Sequence, residues 1–105
     1  MRGQLDSALS DYSKAISIKP DYSDAFYNRG KTYMRKLNYD AAISDFNEAA
    51  NLNTKNADVY FFRSQAYKAK NDFTNALQDV LTAQQMGKQV DAAYINELQN
   101  LAKRQ

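Results

Sequence analysis

The sequence predicts an all-α protein built from a repeated helical hairpin, and three observations support this fold class. Proline occurs once in 105 residues, at Pro20, and glycine only three times, so residues that break helices are scarce. Apolar residues recur at intervals of three and four along most of the chain, which is the spacing of one helix face. The chain also repeats itself with a period of 34 residues.

The apolar periodicity predicts six helices. They span residues 4–18, 23–36, 40–52, 57–70, 73–86 and 91–104, with each end uncertain by about 2 to 4 residues. Pro20 ends the first helix because it lacks an amide hydrogen. Gly87 favours the left-handed conformation that follows a helix end, and Asn53 adopts it less readily. Polar side chains that accept a hydrogen bond from the first helical turn are expected at Ser23, Asn56 and Asp72.

The internal repeat rests on identical residues rather than on composition. A shift of 34 residues pairs Asp24 with Asp58, Arg29 with Arg63, Tyr33 with Tyr67, Lys36 with Lys70, Ala42 with Ala76, Asp45 with Asp79 and Ala49 with Ala83. The same shift carries Asp6, Ala8, Ser10, Asp11 and Ala15 onto Asp40, Ala42, Ser44, Asp45 and Ala49. The sequence therefore contains three copies of one helix, and two copies of the helix before it.

Side-chain size also repeats with this period. Small residues stand at Gly30 and Ser64 and at the repeated alanines, where two helices are expected to approach closely. Large residues recur beside them, with Phe46 in one copy and Val80 in the next. We expect the large and small positions to interdigitate in the same way in each copy.

These residues resemble the tetratricopeptide repeat (TPR), a 34-residue helix-turn-helix unit. One repeat matches at Phe26, Gly30, Tyr33, Ala42, Phe46 and Ala49, and a second matches more loosely at Tyr60, Ser64, Tyr67, Ala76, Val80 and Ala83. The resemblance implies one domain that forms a right-handed solenoid of helical hairpins. In this interpretation residues 3–22 are the second half of a truncated repeat, 23–56 and 57–90 are repeats, and 91–105 form a polar capping helix that ends the array.

The sequence departs from the family pattern at two arginines. Arg29 and Arg63 stand where the family usually has leucine, and an arginine at a semi-buried position needs a partner. Aspartates recur with the same period on the second helices. We therefore expect Arg29 to pair with Asp11 or Asp45, and Arg63 to pair with Asp45 or Asp79. The alternative is that both arginines are exposed on a solvated face.

Composition argues against catalysis and against several classes of ligand. The chain has no histidine and no cysteine, which removes the commonest acid-base group, the thiolate nucleophile and most zinc ligands. No cofactor, metal site or catalytic residue is predicted. A net charge of +2 with interspersed signs favours neither nucleic acid nor a membrane surface. The chain contains no signal sequence or transmembrane segment, so a soluble protein is expected, and its compartment is left open.

The resemblance implies a concave groove that holds a peptide or protein segment and is lined by the outward faces of the first helices. The candidate groove residues are Tyr27, Asn28, Lys31, Met34, Arg35, Phe61, Phe62, Gln65, Lys68, Ile95, Asn96 and Gln99. Among them, Lys31, Arg35 and Lys68 are expected to meet carboxylates of the ligand. The alternative for either Phe61 or Phe62 is that its ring packs against a neighbouring helix.

Some family members bind the C-terminal carboxylate of a chaperone through basic residues in consecutive repeats. Here only Asn28 fits that pattern, and Asp58 and Phe62 occupy positions where basic residues are expected, so this binding mode is rejected. The preferred function is a noncatalytic scaffold or adaptor for a protein or peptide partner. One alternative is self-association through the uncovered residues Leu5, Leu9, Tyr12 and Ile16, and another is a regulatory fragment of a larger enzyme.

Overall fold

The computed structural model describes residues 2–105, which form six α-helices joined by short turns and contain no strand. The helices are α1 (Arg2–Ile18), α2 (Ser23–Arg35), α3 (Tyr39–Leu52), α4 (Ala57–Ala69), α5 (Phe73–Gln85) and α6 (Ala92–Ala102). Every end lies within two residues of its predicted position, so the predicted all-α helical repeat is confirmed. Within the described part of the chain, each helix is too short or too polar to cross a membrane.

Two of the three predicted N-terminal caps are confirmed. The side chains of Asn56 and Asp72 accept hydrogen bonds from amides in the first turns of α4 and α5. The prediction for Ser23 is wrong, because Ser23 is the first residue of α2 and its hydroxyl donates to the carbonyl of Ala49 at 3.0 Å. This bond ties the start of α2 to the C-terminal half of α3. Caps that sequence reasoning missed are formed by Asn38 and Asp91.

The left-handed residues that end helices were only partly predicted. Gly87 has φ +102°, as expected, but Asn53 is extended with φ −141°. Leu37 and Asn71, which are related by the 34-residue period, adopt φ +62° and +63°. Their amides donate to Met34 and Lys68, respectively, both at 2.9 Å, and so close the tight turns after α2 and α4. No glycine marks either turn, so the sequence carried no signal for them.

The helices form two compact units, one ending at Thr54 and the other beginning at Lys55. In the first unit α2 packs against both α1 and α3, and its buried core consists of Ala25, Phe26, Ala42, Phe46, Ala49 and Ala50. In the second unit α5 packs against both α4 and α6, around Val59, Ala66, Ala76, Val80, Ala83, Ile95 and Leu98. Among the residues described, α1 contributes none to the buried core. The exact limits of the repeats within these units stay a prediction.

The predicted interdigitation of large and small residues is clearest at Gly30. A Cβ atom added there would lie 2.7 Å from Cε1 of Phe46, a distance at which the ring has to move. The equivalent residues in the second unit are Ser64 and Val80, both fully buried. The Ser64 hydroxyl donates to the carbonyl of Ala76 at 2.7 Å. We infer that the smaller valine leaves the volume that the serine side chain fills.

Each of the two arginines forms a bidentate ion pair with the aspartate 16 residues later in the chain. In the first unit, Nε and an NH2 group of Arg29 donate to the two carboxylate oxygens of Asp45, both at 2.8 Å. In the second, Arg63 donates to both oxygens of Asp79 at 2.7 Å. The expected pairing is therefore confirmed, and the alternative of exposed arginines is wrong. Arg29 selects Asp45 over Asp11, and its remaining NH1 group donates to Ser13.

Aromatic rings complete the surroundings of both arginines. The guanidinium carbon of Arg29 lies 5.6 Å from the ring centroid of Phe26 and 6.0 Å from that of Tyr33. The same arrangement recurs in the second unit at 5.2 and 6.0 Å. Side chains three residues before and four residues after an arginine lie on its own helix face, so each first helix holds its guanidinium between two rings. The hydrogen bonds to Asp45 raise the pKa of Arg29, which outweighs the effect of burial.

We predict that Gly30→Ala destabilises the first unit only while Phe46 is present. Alanine in a helix is more stable than glycine by about 1 kcal/mol, whereas overpacking costs roughly 1 to 3 kcal/mol. The net effect of Gly30→Ala alone should therefore be a loss of stability. In a Phe46→Val background the same change should be neutral or stabilising. Urea unfolding of the four proteins in this cycle measures the coupling, and equal effects of Gly30→Ala in both backgrounds contradict the packing model.

Candidate functional site

The candidate residues of the first unit form the α2 face, which consists of Tyr27, Asn28, Lys31, Met34 and Arg35. All except the exposed Arg35 are half-buried. The Tyr27 ring is tilted against Phe46, with centroids 6.3 Å apart, so its inner edge rests on the core. Lys31 places its ammonium 4.6 Å from the Tyr27 centroid, one helical turn further along α2. The face therefore combines a ring fixed by the core with a cation held beside it.

Arg35 is the exposed cation of the α2 face. It lies in the last turn of α2, where a positive charge is favoured by the negative end of the helix dipole. Its side chain makes no ion pair with any side chain that the structure describes. The adjacent Lys36 differs, because it forms an ion pair with Asp6 of α1. Arg35 is thus placed to receive an acidic group from another molecule.

The second unit presents the α4 face, which consists of Phe61, Phe62, Gln65 and Lys68. All four residues are half-buried. The Phe61 ring lies edge-on to Phe62, with centroids 5.6 Å apart, and 6.0 Å from the ring of Tyr94 on α6. Phe61 also packs against the buried core of this unit. The alternative considered from the sequence therefore describes Phe61, which packs against a neighbouring helix as well as bordering the outward face.

Two lysines flank this aromatic cluster, and both are already paired with carboxylates. Lys68 forms an ion pair with Glu97 of α6, and its ammonium lies 5.4 Å from the Tyr94 ring centroid. Lys88, which follows α5, pairs with Asp58 at 2.7 Å and lies 4.9 Å from the Phe61 ring centroid. A ligand carboxylate at Lys68 would have to compete with Glu97. Sequence reasoning missed Lys88 and Glu97, because nothing in the local pattern links residues about 30 positions apart.

The prediction that α6 presents Ile95 on its outward face is wrong. Ile95 is only 8% exposed and belongs to the cluster formed with Ala76, Val80 and Leu98. Ile95 and Leu98 lie three residues apart, so one face of α6 turns both side chains onto α5. Asn96 and Gln99 are exposed and stay candidates for binding.

Tyr94 is the residue of this surface that sequence reasoning assigned to the interior. Its ring is half-buried, and its hydroxyl lies 2.9 Å from the Ser64 hydroxyl, which itself bonds to Ala76. Burial raises the pKa of the Tyr94 phenol. The bond with Ser64 and the charge of Lys68 act in the opposite direction, but burial prevails. Tyr94 therefore joins α6 to α4 through a protonated hydroxyl.

The residues predicted for self-association lie along α1. Leu5, Leu9, Tyr12 and Ile16 are all half-buried in the first unit, where α1 packs against α2. Their side chains are therefore partly covered by the chain itself and partly accessible. Self-association through them stays a prediction.

Comparison with protein families gives one consistent result along most of the chain. A model described as "TPR repeat" matches residues 2–36, and two models described as "Tetratricopeptide repeat" match residues 23–56 and 57–86. Together these matches cover residues 2–86 and include the first five helices. No curated protein matches the chain at a significant level.

Solved structures of similar fold include three TPR or related domains. The first TPR of Spaghetti (RPAP3), bound to the HSP90 peptide SRMEEVD, is 26% identical with a TM-score of 0.85, covering 98% of this chain and 81% of that one. The Arabidopsis OM64 TPR domain is 21% identical, with a TM-score of 0.87 and coverages of 93% and 83%. MamA is 23% identical, with a TM-score of 0.77 and coverages of 82% and 50%. The latter two show similarity of fold alone.

We predict that Tyr94 makes the fold sensitive to alkaline pH. Because folding raises the pKa of Tyr94, the unfolded chain loses this proton first, and stability should fall once the pH rises through the ordinary tyrosine value of about 10. Urea unfolding across this pH range should show a shallower decline for Tyr94→Phe than for the unchanged chain. Tyr22→Phe, at an exposed tyrosine, is the matched control. Identical pH profiles for all three proteins contradict this assignment.

Proposed function

This chain belongs to the tetratricopeptide repeat family, and we propose that it is a noncatalytic scaffold or adaptor that binds an extended segment of a partner protein. Domains of this family are typically interaction modules, and a similar domain binds a peptide. The finer proposal is that the α2 face and the α4 face provide the binding contacts in a groove of the kind that the family uses. Each face is argued from the contacts within its own unit.

The observation that carries the proposal is the aromatic cluster of Phe61, Phe62 and Tyr94. Its rings contact one another and are half-buried, so part of each ring stays accessible. Large rings that the fold already holds in place lose little conformational freedom on binding, which makes them effective anchors for an apolar side chain. The ion pairs of Lys68 and Lys88 lie at the border of the cluster, where they form a polar rim.

Charge selection is assigned to the α2 face. Arg35 is exposed, and Lys31 holds its ammonium beside Tyr27, so this face presents positive charge next to an aromatic ring. An acidic side chain of the ligand would gain a charge-assisted hydrogen bond from Arg35. The preferred ligand is therefore an extended segment that combines an apolar anchor with Asp or Glu.

A ligand of this kind need not end in a free carboxylate. The peptide bound by the first TPR of Spaghetti, SRMEEVD, ends in an acidic residue. In this chain Asp58 is acidic and already paired with Lys88, and Phe62 belongs to the aromatic cluster, so neither residue provides a basic anchor. We therefore propose recognition of an internal segment, with side-chain carboxylates rather than the terminal one as the charged groups.

Selection from a displayed library of random peptides tests this proposal directly. Peptides enriched on the full chain should combine an aromatic or aliphatic residue with Asp or Glu, and should bind more tightly than SRMEEVD. Arg35→Glu and Phe62→Ala should each weaken an enriched peptide by about tenfold, which corresponds to about 1.4 kcal/mol. Arg104→Glu, the same charge reversal at an exposed arginine beyond α6, is the matched control and should leave affinity unchanged.

Three results count against the proposal. They are a failure to enrich any peptide, equal loss of affinity in Arg35→Glu and Arg104→Glu, and tighter binding of SRMEEVD than of every selected peptide. Circular dichroism of each variant separates loss of a contact from loss of the fold.

A further inference from the structure

The helix α1 carries a surface that its repeat equivalents bury. The shift of 34 residues aligns Ala8, Asp11, Tyr12 and Ala15 of α1 with Ala42, Asp45, Phe46 and Ala49 of α3, and with Ala76, Asp79, Val80 and Ala83 of α5. Every one of these residues in α3 and α5 is buried, the two aspartates included. In α1 the two alanines and the tyrosine are half-buried, and the aspartate is exposed.

These four α1 residues, called here the Asp11 surface, occupy one helix face. Their spacing of three, four and seven residues places them side by side along α1. Asp11 makes no ion pair with any side chain in residues 2–105 that the structure describes. The surface therefore consists of a small, flat apolar area with one unpaired carboxylate at its centre.

The buried equivalents show what covers such a surface. In each unit the preceding helix supplies an arginine followed directly by a small residue, Arg29–Gly30 in α2 and Arg63–Ser64 in α4. The arginine binds the aspartate through both carboxylate oxygens, and the small residue allows the two helices to approach closely. Both helices read aromatic-x-x-Arg-small-x-x-Tyr, and their two rings flank the guanidinium.

We propose that the Asp11 surface docks an amphipathic helix of a partner protein that carries this same pattern. Charge complementarity identifies the arginine, because a guanidinium placed as in α2 would form the bidentate pair that Asp11 lacks. Size identifies the residue after it. Tyr12 is an aromatic residue like Phe46, opposite which only Gly30 fits, rather than a small one like Val80, opposite which Ser64 fits. The partner helix therefore carries Arg-Gly rather than Arg-Ser.

This surface is independent of the α2 and α4 faces proposed above, because it lies on another helix and selects a folded helix instead of an extended segment. An arginine on the partner is drawn to Asp11, whereas the α2 face selects carboxylates. Failure of one proposal therefore leaves the other unaffected.

A peptide with the sequence of residues 21–36, DYSDAFYNRGKTYMRK, is a suitable probe because it contains the required pattern. The labelled peptide is titrated with the full chain and followed by fluorescence anisotropy. We expect saturable binding that Asp11→Arg weakens by about tenfold or more. A peptide with aspartate in place of its arginine should bind the unchanged chain poorly and regain affinity for Asp11→Arg. Serine in place of the peptide glycine should also weaken binding.

The matched control is Asp21→Arg, which makes the same charge reversal at an exposed aspartate outside α1 and should leave affinity unchanged. The absence of saturable binding at chain concentrations of about 100 μM overturns the proposal. So does binding that is insensitive to Asp11→Arg, because the peptide then docks elsewhere. A chain that forms a dimer in light scattering, and whose dimer excludes the peptide, overturns it as well, since the occupant is then a second copy.

Discussion

The paired arginine and aspartate between the first and second helix of each hairpin are the interaction on which the other features depend. Burying two charges is costly, and a close bidentate geometry is needed to offset that cost. Arg29 and Asp45 achieve this geometry at one relative position of α2 and α3 only, so the pair fixes the register of the two helices. That register places Gly30 against Phe46 and directs Tyr27 and Lys31 outward. The candidate binding face is therefore a consequence of the buried ion pair.

Most of the fold was readable from the sequence because its determinants are local or periodic. Apolar spacing located six helices, and the 34-residue period indicated that Asp45 and Asp79 were candidate partners of the arginines. The turns were harder to predict. Leu37 adopts a left-handed conformation although it is 71% exposed and is not glycine, because the short connection between α2 and α3 requires that geometry. Helix propensity and apolar spacing contain no information about such a residue.

The candidate site was less predictable, since it depends on contacts between helices that are distant in sequence. The pairing of Lys68 with Glu97 and of Lys88 with Asp58 is set by the position of α6 and of the segment before it. Sequence patterns show which face of α6 is apolar, but Ile95 lies at the border of that face. Its burial follows from how α6 rotates against α5, which the 34-residue repeat does not specify because α6 is not a copy of an earlier helix.

The register argument is tested most directly by double-mutant cycles on the two ion pairs, with Arg29→Ala and Asp45→Ala in one and Arg63→Ala and Asp79→Ala in the other. Urea unfolding of the single and double variants isolates the energy of each pair from the other contacts of its members. If the pairs fix the register, each cycle should give a coupling energy of about 1.5 to 3 kcal/mol, the value for hydrogen bonds between charged groups. Coupling energies near zero in both cycles would contradict the account.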